Sequence, residues 1–169
     1  MPLEAGEIVI NPPGGGEQRS REDSASLLRH VPMDHYHVAC AIIEQDGRVL
    51  ATQRSEAMSL PLKWEFPGGK IQDGETAASC LVRECREELG VTVLVGEPLL
   101  PATHRYPSFT VTLYPFRCSL SGGAITLHEH RSLAWLPPDR LGSLDWAEAD
   151  LPVIEQYQLM TGVQGQENA

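Results

Sequence analysis

Residues 68–91 read GGKIQDGETAASCLVRECREELGV, and this segment decides the fold of the chain. Its apolar residues recur at spacings of four, three and four; they are Ala78, Val82, Cys85 and Leu89. This periodicity predicts a helix over residues 76–89 that packs one face on a core. Gly90 follows the last apolar position, where a glycine commonly ends a helix.

Three glutamates, Glu84, Glu87 and Glu88, occupy positions i, i+3 and i+4 of this helix and therefore share a face. We expect that face to point away from the apolar stripe. Clustered carboxylate oxygens suit Mg²⁺, with Mn²⁺ as an alternative, and Mg²⁺ completes its shell with water and substrate phosphate. The pattern is compatible with phosphoryl chemistry, but taken alone it is more typical of a solvated helix face offset by nearby arginines.

The sequence WEFPGGK at residues 64–70 precedes the helix. Its proline and paired glycines predict a turn whose backbone can approach another group closely. The backbone at Gly68 and Gly69 is a candidate source of a carbonyl ligand, and Lys70 offers a positive charge to a phosphate oxygen. The predicted site thus extends from the helix into the preceding loop.

Strands surround this segment. Residues 37–44 and 48–54 flank the hairpin signal Asp46-Gly47 and predict two antiparallel strands. Arg54 ends the second strand and is a candidate phosphate ligand or an exposed strand-end charge. β-branched and aromatic residues predict further strands at 91–95, 110–119 and 132–136.

A short helix or turn is predicted to begin at residues 137–139, and a last helix is predicted over residues 151–160 with Asp150 as its N-cap. The order of elements predicts an α/β domain with a mixed sheet covered on both faces. We place the folded domain at residues 35–160, between a flexible amino-terminal extension, residues 1–34, and a carboxy-terminal tail, residues 161–169.

The charge and hydropathy of the chain limit the kinds of partner that it is expected to bind. The net charge of -10 argues against a nucleic-acid polymer, because such binding relies on clustered Lys and Arg. No apolar run approaches the ~20 residues of a membrane helix, and the first residues lack a secretion signal, so we expect no membrane partner and a cytoplasmic location. The four cysteines show no CxxC spacing and are predicted to be reduced, buried thiols.

Residues 69–91 resemble the Nudix box in full, with nine defined positions at fixed spacing. These positions are Gly69, Glu75, Arg83, Glu84, Cys85, Glu87, Glu88, Gly90 and Val91. Cys85 fills the apolar slot as a small hydrophobe. Residues 64–70 are also similar to the entry to the box in MutT-type members of the Nudix hydrolase family.

The resemblance implies a Nudix fold, an α/β/α sandwich with a mixed β-sheet, and hydrolysis of a nucleoside diphosphate linked to a further group. It implies that Arg83 orients the glutamates and that Glu75 supports them. The implied metal ligands are the Gly68 carbonyl, Glu84, Glu87 and Glu88. MutT-type members add a glutamate from a later loop, and Glu129 stands at a similar place, either as a ligand or base or as a surface acid. Water would attack phosphorus in line, with Glu84 as another candidate proton acceptor.

Asp150 lies at a place similar to the base-reading asparagine of MutT enzymes for oxidised guanine, and aspartate there resembles the CTP pyrophosphohydrolase branch. A carboxylate accepts hydrogen bonds such as those of a cytosine amino group. Capping of the last helix is the alternative. The aromatic residues Tyr106, Phe109 and Tyr114 are candidates to stack on a base or to belong to the core. We read His104, His128 and His130 as loop or strand histidines, because no further ligands stand at metal spacing.

Three functions follow, each with a small nucleotide as the partner. The first is a MutT-like enzyme that converts (d)NTP to (d)NMP and pyrophosphate in nucleotide-pool cleaning, acting on cytosine nucleotides or 8-oxo-dGTP. The second is a Nudix enzyme for ADP-ribose, nucleotide sugars or dinucleotides. The third is a non-catalytic nucleotide-binding module, in which the box glutamates are usually degraded; here they are intact. The sequence does not decide between a monomer and a homodimer.

Overall fold

The computed structural model describes residues 32–163, so residues 1–31 of the predicted extension and residues 164–169 of the predicted tail lie outside the described residues. The two helices are α1 (Ala77–Leu89) and α2 (Leu151–Met160). Short 3-10 helices at Pro138–Ser143 and Glu148–Asp150 precede α2. The strands are β1 (Asp34–Gln45), β2 (Arg48–Gln53), β3 (Trp64–Glu65), β4 (Gly68–Lys70), β5 (Thr92–Pro98), β6 (Ala102–Arg105), β7 (Phe109–Gly122) and β8 (Ser132–Leu136).

Strand β1 is the centre of one mixed sheet. It pairs in parallel with β7 and antiparallel with β2 and β4. Strands β5 and β6 extend the sheet from β7, whereas β3 and β8 extend it from β2. The predicted hairpin is confirmed: Asp46 and Gly47 both have positive φ angles, 51° and 72°, as a tight two-residue hairpin turn requires. The short strands β3, β4 and β6 were not predicted.

The side chains of β1 alternate between two cores. Ala39, Ala41 and Ile43 pack in the cluster that contains the buried residues of α1. Cys40 and Ile42 point to the opposite face and pack in the cluster that contains the buried residues of α2. Because each helix covers one face of the sheet, the chain is an α/β/α sandwich, as expected.

Helix α1 is closed at both ends by its own sequence. The Thr76 side chain accepts a hydrogen bond from the Ser79 backbone N–H, and the Ser79 hydroxyl accepts one from the Thr76 N–H, so the two form a capping box. At the other end Gly90 is left-handed, with φ of 67°, and its N–H bonds to the Arg86 carbonyl. These caps confirm the predicted helix bounds.

The buried face of α1 differs from the predicted stripe. Leu81, Cys85 and Leu89 are fully buried, whereas Ala78 and Val82 are only half-buried. Seven residues are nearly two helical turns, so Glu88 lies almost directly in line with Leu81 and is 6% exposed. The expectation that all three glutamates face away from the core is therefore wrong for Glu88.

Asp150 occupies the N-cap position of α2, as predicted, but its side chain does not cap the helix. Its side chain makes no capping hydrogen bond, and its φ and ψ of -79° and -21° are helical, whereas an N-cap residue is usually extended. The preceding 3-10 helix runs directly into α2, which leaves this carboxyl group available for another contact.

Two further observations concern the described residues. The four cysteines are free and buried, as predicted. Among residues 32–163, no helix is both long and apolar enough to cross a membrane.

Replacing Gly68 with alanine should destabilise the fold. An added Cβ would lie 2.0 Å from the Ala39 carbonyl oxygen, so β4 would have to move away from β1. Overpacking against rigid backbone leads us to expect a loss of about 3 kcal/mol in the free energy of unfolding, measured with urea. In the matched control Gly142→Ala, the added Cβ meets nothing within 4 Å. The control should change stability by less than about 0.5 kcal/mol, and equal effects of the two variants would contradict the close approach.

Candidate active site

A cleft of about 460 Å³ brings several predicted site residues together. The cleft lies where β1, β3 and β4 meet the segment before α2. Two backbone hydrogen bonds hold that segment beside β3: the Trp64 N–H donates to the Asp145 carbonyl and the Trp64 carbonyl accepts from the Ala147 N–H, each at 2.9 Å. All four predicted substrate residues line the cleft, and so do two of the predicted metal ligands. They are Arg54, Lys70, Tyr106 and Asp150, with Gly68 and Glu88.

Arg83 connects the acidic residues of the box. Its guanidinium donates to both oxygens of Glu75, at 2.7 and 2.9 Å, and to Glu84 at 2.7 Å. A longer contact of 3.3 Å reaches Glu87. The Arg83 guanidinium holds the pKa of Glu75 at about 2. This arrangement gives Arg83 the contacts expected of a residue that orients the glutamates.

Glu88 faces the loop before the helix. Its Oε2 accepts a hydrogen bond from the Gly68 N–H at 3.3 Å. Burial raises the pKa of Glu88 to about 9, and repulsion from Glu65, Glu84 and Glu129 adds to this rise. Burial also raises the pKa of Glu84, although Arg83 opposes the change. The site therefore concentrates carboxylates that a bound cation would stabilise in their charged form.

The backbone at Gly69 lies directly against Glu84. A Cβ added at Gly69 would stand 2.3 Å from the Glu84 carboxyl carbon, so a larger residue in β4 would displace the Glu84 carboxylate. Within residues 32–163, no three His, Cys, Asp or Glu side chains are grouped closely enough to hold a metal ion in this conformation. Arg83 engages Glu84 and Glu87 instead. The donor atoms of the box glutamates are nevertheless all carboxylate oxygens, which are the ligands that a hard divalent cation prefers.

Glu129 lies in the exposed loop between β7 and β8, outside the lining of the cleft. Its charge contributes to the raised pKa values of Glu84 and Glu88, so it lies near both carboxylates. The structure thus brings Glu129 towards the box glutamates, whereas its role as a ligand or base stays a prediction.

Asp150 is buried in the wall of the cleft, 5% exposed, and one of its oxygens accepts a hydrogen bond from the Phe66 N–H at 3.2 Å. Burial raises the pKa of Asp150 well above its usual range, and the nearby charge of Glu65 adds to this effect. A raised pKa favours the protonated carboxylic acid, which can donate a hydrogen bond as well as accept one.

Aromatic side chains form one side of the cleft. Tyr106 is buried, its hydroxyl accepts from the Ala149 N–H at 3.0 Å, and its ring centroid is 4.8 Å from that of Phe109. The Lys70 ammonium lies 3.9 Å from the centroid of the Tyr36 ring, also in the lining. Tyr114 does not line the cleft; its hydroxyl bonds to His37 at 2.9 Å.

Two residues of the site were missed from the sequence. Glu65 accepts hydrogen bonds from Arg54 at 2.8 Å and from His130 at 2.9 Å. Arg54 is therefore not an exposed strand-end charge; its side chain is 16% exposed. The indication that the sequence offers for these two residues is their position: Glu65 lies within the segment before the box, and His130 follows Glu129 directly.

A helix rich in glutamates beside a cleft is an arrangement that can hold divalent cations for hydrolysis of phosphoanhydride bonds. The profile of the NUDIX domain matches residues 33–157, and the chain therefore belongs to the Nudix family.

Its relatives refine this assignment. The chain is similar to the CTP pyrophosphohydrolase of Escherichia coli K12, 34% identical over 128 residues that cover 76% of this chain and 95% of that protein. It is similar to the putative 8-oxo-dGTP diphosphatase 2 of Mycobacterium tuberculosis H37Rv, 35% identical over 120 residues that cover 67% and 81% of the two chains. The solution structure of MutT from methicillin-resistant Staphylococcus aureus 252 superposes with a TM-score of 0.62 at 42% identity, covering 77% of this chain and 98% of that one. The protein is a Nudix hydrolase of the MutT type.

Asp150→Asn tests the raised pKa of this buried acid. Because folding raises its pKa, its contribution to stability is full below the unfolded pKa of about 3.9 and is lost as the pH rises through the folded value. Asparagine keeps an oxygen for the Phe66 N–H but does not ionise. We therefore expect the variant to unfold at higher urea concentration than the native protein at about pH 9, with a gain that shrinks towards about pH 5.

The exposed Asp73 supplies the control, since Asp73→Asn should show no such trend. A stability difference for Asp150→Asn that stays constant with pH would refute the raised pKa.

Proposed function

We propose that this chain is a Mg²⁺-dependent pyrophosphohydrolase that converts a nucleoside or deoxynucleoside triphosphate to the monophosphate and pyrophosphate. Cytosine nucleotides are the first candidate substrates and 8-oxo-dGTP is the second. The observation that carries the proposal is the shared cleft: Asp150, at one wall, and Glu88, from the box helix, line the same space. One nucleotide can then contact both groups, with its base near Asp150 and its phosphates near the helix.

The proposed ligands of Mg²⁺, or of Mn²⁺ in its place, are the Gly68 carbonyl, Glu84, Glu87, Glu88 and Glu129. When bound, the ion neutralises phosphate charge and lowers the pKa of a coordinated water. The concentration of carboxylates with raised pKa values, Glu84 and Glu88, supports this assignment.

Around that centre the chain's own groups orient the reaction. Arg83 holds Glu84 and Glu87 through its ion pairs, which limits their rotation. Glu84 and Glu129 are the candidates to accept the proton of the attacking water, since both carry carboxylates near the box helix. Lys70 and Arg54 line the cleft and offer positive charge to the phosphates.

The neutral form of Asp150 suits the base edges of both candidates. Its hydroxyl can donate to N3 of cytosine while its carbonyl oxygen accepts from the N4 amino group. It can equally donate to O6 of an oxidised guanine and accept from N1–H. The similarity to a CTP pyrophosphohydrolase favours the first substrate, and the similarity to a putative 8-oxo-dGTP diphosphatase supports the second.

A substrate panel tests the proposal. Pyrophosphate release with Mg²⁺ is measured from CTP, dCTP, 5-methyl-dCTP, 8-oxo-dGTP and the other triphosphates, and AMP release is measured from ADP-ribose. We expect a cytosine triphosphate to be hydrolysed best, and Glu87→Gln to lower kcat by more than about 100-fold because a metal-binding carboxylate is removed. Glu155→Gln, an exposed change on α2, should retain native activity.

The other outcomes are distinct. Preference for 8-oxo-dGTP would retain the pyrophosphohydrolase and select the second substrate. Cleavage of ADP-ribose alone, without pyrophosphate, would instead assign the chain to nucleotide sugars or dinucleotides. Binding without turnover of any substrate would overturn the proposed reaction.

A further inference from the structure

We infer that Glu65 and His130 are positioning residues: their contact fixes the loop that carries Glu129, and through Glu65 this loop is coupled to Arg54. The inference rests on the proposed function, because it assigns a purpose to the placement of Glu129. Neither residue belongs to the box itself, and neither needs to touch the substrate.

Glu65 connects two parts of the chain that are distant in sequence. One carboxylate oxygen accepts from Arg54 at 2.8 Å, and the other is 2.9 Å from Nε2 of His130. An ionised carboxylate only accepts hydrogen bonds, so the imidazole donates from Nε2. The Glu65 backbone is itself fixed, since its carbonyl accepts from the Thr52 hydroxyl at 3.0 Å.

His130 gains little as a core residue. Its side chain is fully buried, yet its Nδ1 has no hydrogen-bond partner within the described part of the chain. A buried polar group without a partner is costly, and an apolar side chain would avoid that cost. The contact with Glu65 is therefore the polar interaction that a histidine supplies at this position.

Backbone hydrogen bonds on both sides of Glu129 hold the loop that the contact between Glu65 and His130 also fixes. On one side, the His128 N–H donates to the Glu88 carbonyl at 3.1 Å, which attaches the loop to the end of α1. On the other side, the Arg131 N–H donates to the Gln53 carbonyl at 2.9 Å. The backbone is thus held at both flanks, and His130 adds the side-chain contact immediately after Glu129.

Loss of the His130 contact should leave the backbone bonds intact while the Glu129 carboxylate becomes less well placed. The fold would persist, and the effect would appear in the rate of reaction rather than in substrate binding. A change at Glu65 differs, because Arg54 would lose its partner at the same time. The two residues therefore predict different kinetic signatures.

The experiment is a double-mutant cycle on pyrophosphate release with Mg²⁺ and the best triphosphate of the panel. His130→Phe retains a buried ring and removes the donor, whereas His130→Gln retains an N–H group that can reach Glu65. We expect His130→Phe to lower kcat about 10-fold with KM changed less than about 2-fold, as for residues that support a metal site, and His130→Gln to recover most of the rate.

In the Glu129→Gln background, His130→Phe should lower kcat by less than about 2-fold further, because its effect passes through Glu129. Glu65→Gln cannot accept from Arg54 and His130 together, so it should both lower kcat and raise KM. Thermal unfolding of each variant shows whether the fold is retained.

Several results would overturn the inference. It fails if the effects of His130→Phe and Glu129→Gln multiply, if His130→Gln is as impaired as His130→Phe, or if Glu129→Gln is fully active. An unchanged KM in Glu65→Gln would remove the coupling to Arg54. Failure of the proposed function looks different: the native protein would release no pyrophosphate, or Glu87→Gln would match it.

Discussion

Strand β1 and helix α1 both approach strand β4 so closely that a Cβ at position 68 would clash with backbone and a Cβ at position 69 would displace a side chain of the helix. At Gly68 the obstacle is the carbonyl oxygen of Ala39, and at Gly69 it is the Glu84 carboxylate. The same strand then donates its Gly68 N–H to Glu88. Because β1, β4 and the acidic helix are in direct contact, the position of each fixes the others, and the floor of the cleft follows from this packing.

The site is acidic because its carboxylates are only partly neutralised by Arg83. Arg83 forms ion pairs with Glu75, Glu84 and Glu87, whereas the hydrogen-bond donor that residues 32–163 supply to Glu88 is the backbone N–H of Gly68. Repulsion among neighbouring carboxylates adds to the cost of burying Glu88 as an anion. In a chain with a net charge of -10, anionic phosphates would be repelled from such a site unless cations accompany them. The arrangement therefore favours substrates that bind together with a metal ion.

Local patterns predicted much of the fold. The helix with its terminal Gly90, the Asp46-Gly47 hairpin and the longer strands follow from periodicity and turn chemistry, which act over a few residues. The burial of Glu88 was missed because the predicted stripe included Ala78 and Val82 in place of Leu81, although the helical repeat places Glu88 in line with Leu81. Cap propensity placed Asp150 correctly at the start of α2 but did not predict the use of its carboxyl group, which accepts a tertiary hydrogen bond from the Phe66 N–H. The Glu65 contact with His130 joins residues 65 positions apart, and no short-range pattern encodes such a pairing.

The parallel pairing of β1 with β7 also has a consequence for how the chain folds. Asp34 lies opposite Phe109, so these partners are about 75 residues apart in sequence, and a large loop must close before they meet. During synthesis β1 can form its hairpin with β2 early, but the edge that β7 will cover stays open until most of the domain has left the ribosome. That edge carries the apolar run from Val38 to Ile43, which makes the nascent chain most prone to aggregation in this interval.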